Sequence, residues 1–264
     1  MKKIIIFFLL SIFPFINNMA QDAYLANQYA NPIYLNPAYS GGSTGPSVFM
    51  NYRDQWPGIT GTFITSMISV DIPIDKISGG FGAIFSNESK GRRHININTY
   101  GLSYAHSFRL SENFSIRAGV QGDYIRKRIN WERIPMCCFG PCIDYNELKD
   151  IDMADFTGGV LASGKKFNFS PLLLFMKQQQ FSQASVGCYI NRESFSIGAV
   201  YQVDDAFIFS AGLRDKHFRF GYSYDLTISK LGMQTLGSHE IFLVGVLSSK
   251  KERKKLQPAN MPVF

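Results

Sequence analysis

The chain has 264 residues and a formal charge of +7, and aromatic residues make up 14% of it, with 23 Phe and 13 Tyr against 2 Trp. Mean hydropathy is −0.04, an ordinary value for a soluble protein and also for a β-barrel, which hides its apolar residues by alternation rather than in runs. The basic excess is local: Lys2 and Lys3 open the chain and Lys250-Lys251-Glu252-Arg253-Lys254-Lys255 lies near its end, which argues against a nucleic-acid partner.

Residues 1–20 read as a signal peptide. Lys2 and Lys3 form a basic start, Ile4 to Ile16 is an apolar run broken only by Ser11 and Pro14, and Asn18-Met19-Ala20 precedes a cut before Gln21. A membrane anchor needs about 20 apolar residues, and no Cys follows the run to carry a lipid. The rest of the sequence holds no run of that length, so an exported chain of this kind enters a membrane only as a β-barrel.

Residues 21–45 are rich in Asn, Pro and Tyr, with Asn31-Pro32 and Asn36-Pro37 favouring turns. They are expected to form an N-terminal periplasmic segment. From Ser47 onward the pattern alternates with period 2. Strands are predicted near 47–54, 62–72, 79–87, 97–109, 113–128, 155–162, 167–176, 181–190, 194–203, 206–214, 217–229 and 238–248. The sharpest alternation runs from Phe218 to Ser229, where Phe218, Phe220, Tyr222, Tyr224, Leu226 and Ile228 share one face. About a dozen strands, many of 9 residues or more, suit a bilayer, which needs about 9–11 per crossing. The expected fold is all-β: a transmembrane antiparallel barrel of about 12 strands (12–14) over residues 46–248, with a basic tail over 249–264. Asp204-Asp205 and Arg214-Asp215 are expected as periplasmic hairpin turns, and residues 130–154 as a long surface loop.

Residues with chemical potential are few. Cys137, Cys138 and Cys142 form C-C-F-G-P-C in that loop, a spacing shared with metal knuckles; no His stands nearby to complete a metal site, so in an exported chain a disulfide of Cys137 or Cys138 with Cys142 is expected. Asp144, Glu147, Asp150, Asp152 and Asp155 miss the calcium-loop spacing and its glycine. His239 and Glu240 are adjacent on a strand and so point to opposite faces, which breaks them as an acid–base pair. No catalytic set, cofactor motif or metal site is expected. Arg53-Asp54-Gln55-Trp56-Pro57-Gly58 ends the first strand; Trp56 suits either an interfacial ring or a docking surface.

Four motifs in order resemble one family. Asn31-Pro32-x-x-x-Asn36-Pro37-Ala38-Tyr39-Ser40-Gly41 and Tyr52-Arg53-x-Gln55-Trp56-x-Gly58-Ile59 resemble the N-terminal signature of PorP/SprF proteins, of the Bacteroidetes type IX secretion system. Phe218-Arg219-Phe220-Gly221-Tyr222-Ser223-Tyr224-Asp225 and Gly237-Ser238-His239-Glu240 resemble its C-terminal signatures. Two departures stand out: residues 165–180 look compressed, as though one hairpin were missing, and the Cys137–Cys142 loop looks like a local elaboration. The resemblance implies a non-enzymatic outer-membrane barrel that supports export or surface attachment of secreted proteins, including adhesins used in gliding. It implies partners among the periplasmic and lipoprotein components of the machine, together with the exported client and outer-membrane lipid. Asn36, Pro37, Arg53, Gln55 and Trp56 are expected to form a periplasmic-side docking patch. A small solute channel is the competing reading.

Overall fold

The computed structural model describes residues 25–26, 30–58, 61, 63–91, 94–111, 114–130, 150–163, 169–178, 181–192, 194–215, 217–228 and 237–247. The expected signal peptide, Cys137, Cys138, Cys142 and the basic tail lie outside the described residues.

Twelve strands follow one another: β1 (Ser47–Gln55), β2 (Phe63–Ile74), β3 (Gly79–Lys90), β4 (Ile95–Ser111), β5 (Phe114–Ile129), β6 (Ile151–Ser163), β7 (Phe169–Gln178), β8 (Phe181–Asn191), β9 (Phe195–Gln202), β10 (Ala206–Arg214), β11 (Phe218–Thr227) and β12 (Ser238–Val246). Each pairs antiparallel with its sequence neighbour, except that β1 pairs β12 and the order ends at β6 and β7. This is the up-and-down connectivity of an outer-membrane β-barrel, with first and last strands joined. The seam falls between β6 and β7, which the short segment 164–168 connects.

Burial alternates along the strands because the two faces meet different surroundings. On β11, Phe218, Phe220, Tyr222 and Leu226 are exposed, while Gly221, Ser223, Asp225 and Thr227 are buried. Met50, Ile68, Phe85, Leu102, Val120, Val160, Phe209 and Leu243 continue the exposed apolar face around the sheet. Such a band is stable only in lipid. Aromatic contacts edge it: Phe85–Tyr100 (5.2 Å), Tyr100–Tyr124 (6.3 Å) and Tyr201–Phe207 (4.8 Å) at one level, Phe81–Tyr104 (5.1 Å) at the other. Just past Tyr124 the outer face turns ionic, with Arg126–Asp152 at 2.9 Å and Arg128–Asp150 at 3.0 Å. That change marks the edge of the apolar layer.

Strand direction sorts the connections. The β2–β3, β4–β5, β6–β7, β8–β9 and β10–β11 turns lie at the end where β1 starts and β12 stops. The opposite end holds the longest connections, 130–150 and 228–237. In outer-membrane barrels short turns face the periplasm and long loops the exterior. Asp204-Asp205 and Arg214-Asp215, both expected as periplasmic turns, flank the single strand β10 and therefore sit at opposite ends; only Arg214-Asp215 is at the short-turn end.

The interior is filled. Phe49, Met67, Ile84, Tyr189, Val200, Ile208, Phe242 and Val244 turn inward and pack with Leu25, Ala26, Ala30 and Ile33. The N-terminal segment, expected outside in the periplasm, lies inside the curled sheet: Asn31, Ile33, Ala38 and Ser40 are fully buried. Its Asn and Pro residues are shaped for a lumen, because a chain without a strand ladder needs side chains and sheet edges to satisfy its backbone.

Candidate functional site

The buried segment 30–45 and the wall that grips it form the candidate site. Helix α1 (Pro32–Leu35) starts on Pro32, whose ring is pre-set for a first helical position. A 3-10 turn follows over Pro37–Tyr39, and the Asn36 side chain caps it by accepting from the Ala38 N–H at 2.8 Å. Asn36 also donates to the Val160 carbonyl of β6 at 3.2 Å. Ser69 donates to Asn31 at 2.7 Å, and Ser40 shares a hydrogen bond with Ser103 at 2.7 Å. Gly41 has a φ of +70° and lies against Gly80, where a Cβ on either residue would meet backbone. Gly119 performs the same service for Pro37 and Ala38.

Two charged clamps hold the N-terminal chain, one on residues 38–43 and the other on Ala26. Near the short-turn end, Arg117 donates to the carbonyls of Ala38 (2.9 Å) and Ser40, while Asp71 accepts from the N–H groups of Gly41 and Ser43. Near the long-loop end, Arg53 meets Asp225 at 2.7 Å and Glu240 at 3.6 Å, with Arg53 only 2% exposed. Glu240 accepts from the Ala26 N–H at 2.6 Å and from Asn51 at 3.4 Å. A buried guanidinium is tolerable only with such partners. Ala26 thus sits at the level of Glu240 and Gly41 at that of Gly80.

The five residues expected to form one docking patch are dispersed. Asn36 and Pro37 belong to the luminal segment, against β5 and β6. Arg53 is buried in the clamp. Gln55 and Trp56 lie at the end of the sheet that holds the 130–150 and 228–237 connections. Trp56 has a φ of +61°, costly for a residue with a side chain. Its N–H donates to the Gly237 carbonyl at 3.0 Å, its indole N–H to Thr227 at 3.3 Å, and its ring sits edge-on to Phe63 at 5.4 Å. Pro57 and Gly58 beside it are exposed.

Other candidates resolve simply. Glu240 faces the interior, while His239 faces outward and shares a 2.6 Å hydrogen bond with Tyr222, so the two are split across the sheet. Among the described residues no group of three or more His, Cys, Asp or Glu could hold a metal ion, and Cys188 on β8 is a free thiol. Sequence reasoning missed the clamp. Arg53, Asp225 and Glu240 each fall in a family-like motif and on the inner parity of their strands, which was the signal available to join them.

Among solved structures, the chain is similar to the β domain of the Bordetella autotransporter BrkA, at 10% identity over 77% of this chain and 99% of that one, with a TM-score of 0.38. Outer membrane phospholipase A from Escherichia coli aligns at 9% identity over 77% and 97%, TM-score 0.34. The translocator domain of autotransporter NalP from Neisseria meningitidis aligns at 10% over 78% and 89%, TM-score 0.36. Comparison with curated proteins gave no match. The family model described as type IX secretion system membrane protein PorP/SprF matches residues 17–170 and 152–244. The two blocks overlap across β6 and the β6–β7 turn, the place where the strand ladder also breaks. With its twelve-stranded outer-membrane barrel and a match across most of its length, the chain belongs to the PorP/SprF family of type IX secretion system membrane proteins.

Proposed function

We propose that this barrel is a closed, non-enzymatic scaffold that supports export or surface attachment of secreted proteins such as adhesins, beside periplasmic and lipoprotein subunits of the machine. The observation that carries this reading is the filled interior: apolar side chains of eight inward positions pack on the N-terminal segment, and two ionic clamps anchor it. A solute channel of this size needs an open, polar lumen, which such a core removes. The docking role expected of the Arg53–Trp56 region falls to its outward part, Gln55 and Trp56 with Pro57 and Gly58, at the long-loop mouth. A left-handed Trp held by three separate contacts is strain retained at one place, a pattern typical of functional sites.

The test is surface display of secreted protein in cells lacking the chain. Wild type restores display, whereas Trp56→Ala inserts normally, by heat-modifiable migration, and fails to restore it. Full display with Trp56→Ala overturns the docking assignment; full display without any chain overturns the export reading.

A further inference from the structure

The short-turn mouth carries a charge imbalance that the clamps do not share. Arg214 ends β10 and Arg219 is the second residue of β11, and the two are direct cross-strand partners. Both lie on the inner parity of their strands, Arg214 on the same face as Ser210 and Gly212, Arg219 on the same face as Gly221 and Ser223. Arg214 is exposed and Arg219 half-buried. Like charges placed directly opposite each other destabilise a strand pair, and a guanidinium drawn out of water calls for a counter-charge. Among the other inward charges, Arg53 pairs with Asp225 and Glu240, Lys90 with Glu88, and Arg117 and Asp71 bind the luminal segment. Among the described residues, no carboxylate pairs with Arg214 or Arg219.

We propose that Arg214 and Arg219 form a docking site for an acidic segment of a partner protein that reaches the barrel mouth from the periplasm. Two guanidiniums on neighbouring strands present paired N–H donors, which match carboxylates in bidentate fashion. The inner parity turns them away from the apolar band, so a lipid headgroup is the poorer occupant. The proposal rests on the reading that this barrel works through contacts with other proteins.

Full-length chain in detergent, titrated with a fluorescent decaglutamate peptide, tests it. Binding should weaken with salt and fall about tenfold in the Arg214→Gln/Arg219→Gln double variant, with heat-modifiable migration unchanged. Lys250→Gln/Lys251→Gln should retain most of the binding, which separates the mouth from the tail. If the double variant fails to fold, Arg214→Gln alone must still weaken binding. Equal binding by the arginine variants overturns the proposal. So does an arginine-dependent affinity for phosphatidylglycerol vesicles without one for decaglutamate. Glu193 precedes Ser194, whose carbonyl accepts from the Arg214 N–H; a thermal destabilisation by Glu193→Gln matching that of Arg219→Gln would assign the counter-charge to the chain itself and overturn the proposal too. A chain that restores display yet ignores decaglutamate sinks this inference and leaves the export reading standing.

Discussion

Arg53 on β1 and Asp225 on β11 meet at 2.7 Å inside the barrel although 172 residues separate them. The contact skips over β12, which supplies Glu240 to the same guanidinium. Three motifs far apart in sequence thus converge on one buried cation, and the Ala26 N–H joins them through Glu240. Removing the cation leaves two carboxylates facing each other without water. Arg53→Ala should lower stability by about 3–5 kcal/mol, read as a lower unfolding temperature in detergent. Arg53→Lys should recover only part of it, because an ammonium cannot hold two carboxylates in the guanidinium's fixed geometry. An unchanged unfolding temperature in Arg53→Ala would remove the clamp from the account.

The outward face predicts a sharp asymmetry. Leu243 is an exposed apolar residue midway along β12, while its neighbour Phe242 is fully buried. Leu243→Arg should cost about 2–4 kcal/mol in bilayers, as a cation near the midplane does. Folding titrations into lipid vesicles measure it. A neutral effect would mean that this face does not meet lipid.

Strand direction predicts orientation. In a background without the native cysteines, a Cys at Gly58 should react with a membrane-impermeant maleimide on intact cells. A Cys at Lys76, in the β2–β3 turn, should react only after the outer membrane is permeabilised. Reversal of that pattern would invert the barrel and return Trp56 to the periplasm.

Asp205, in the turn between β9 and β10, gives a pH prediction. Burial pushes its carboxyl up, and the Asp225 carboxylate adds to this, outweighing the opposite pull of Arg53. The folded state therefore holds the proton more tightly than the unfolded one. Stability is lost as pH rises from the ordinary carboxylate value through the raised one. Asp205→Asn should be more stable than wild type at neutral pH and equal to it in acid, by thermal unfolding across pH. A wild type that gains stability over the same rise relative to Asp205→Asn would reverse the sign.

The strands were legible because alternation is written directly in the sequence. β1, β10 and β12 start at the predicted residue, since Ser47, Ala206 and Ser238 follow clear breaks. β6 starts at Ile151 rather than 155, because its first residues trade apolar alternation for the Arg126–Asp152 pair. The luminal segment was not legible. Residues 30–45 have no period, and their partners, such as Ser69, Ser103, Arg117 and Val160, come from strands far along the chain. Arg53 was misplaced for the same reason: next to Trp56 in sequence it reads as surface, while one residue of parity turns it inward. The motif Asn31 to Gly41 carries no period of its own because it fits a wall built from β2, β4, β5 and β6.

Conductance tests the closed interior most directly. Full-length chain reconstituted in planar bilayers should show no steady current. Gly119→Leu, whose side chain would occupy the seat of Pro37 and Ala38, should dislodge the segment and produce channel openings. A steady open pore in the wild-type chain would contradict the account and favour a solute channel.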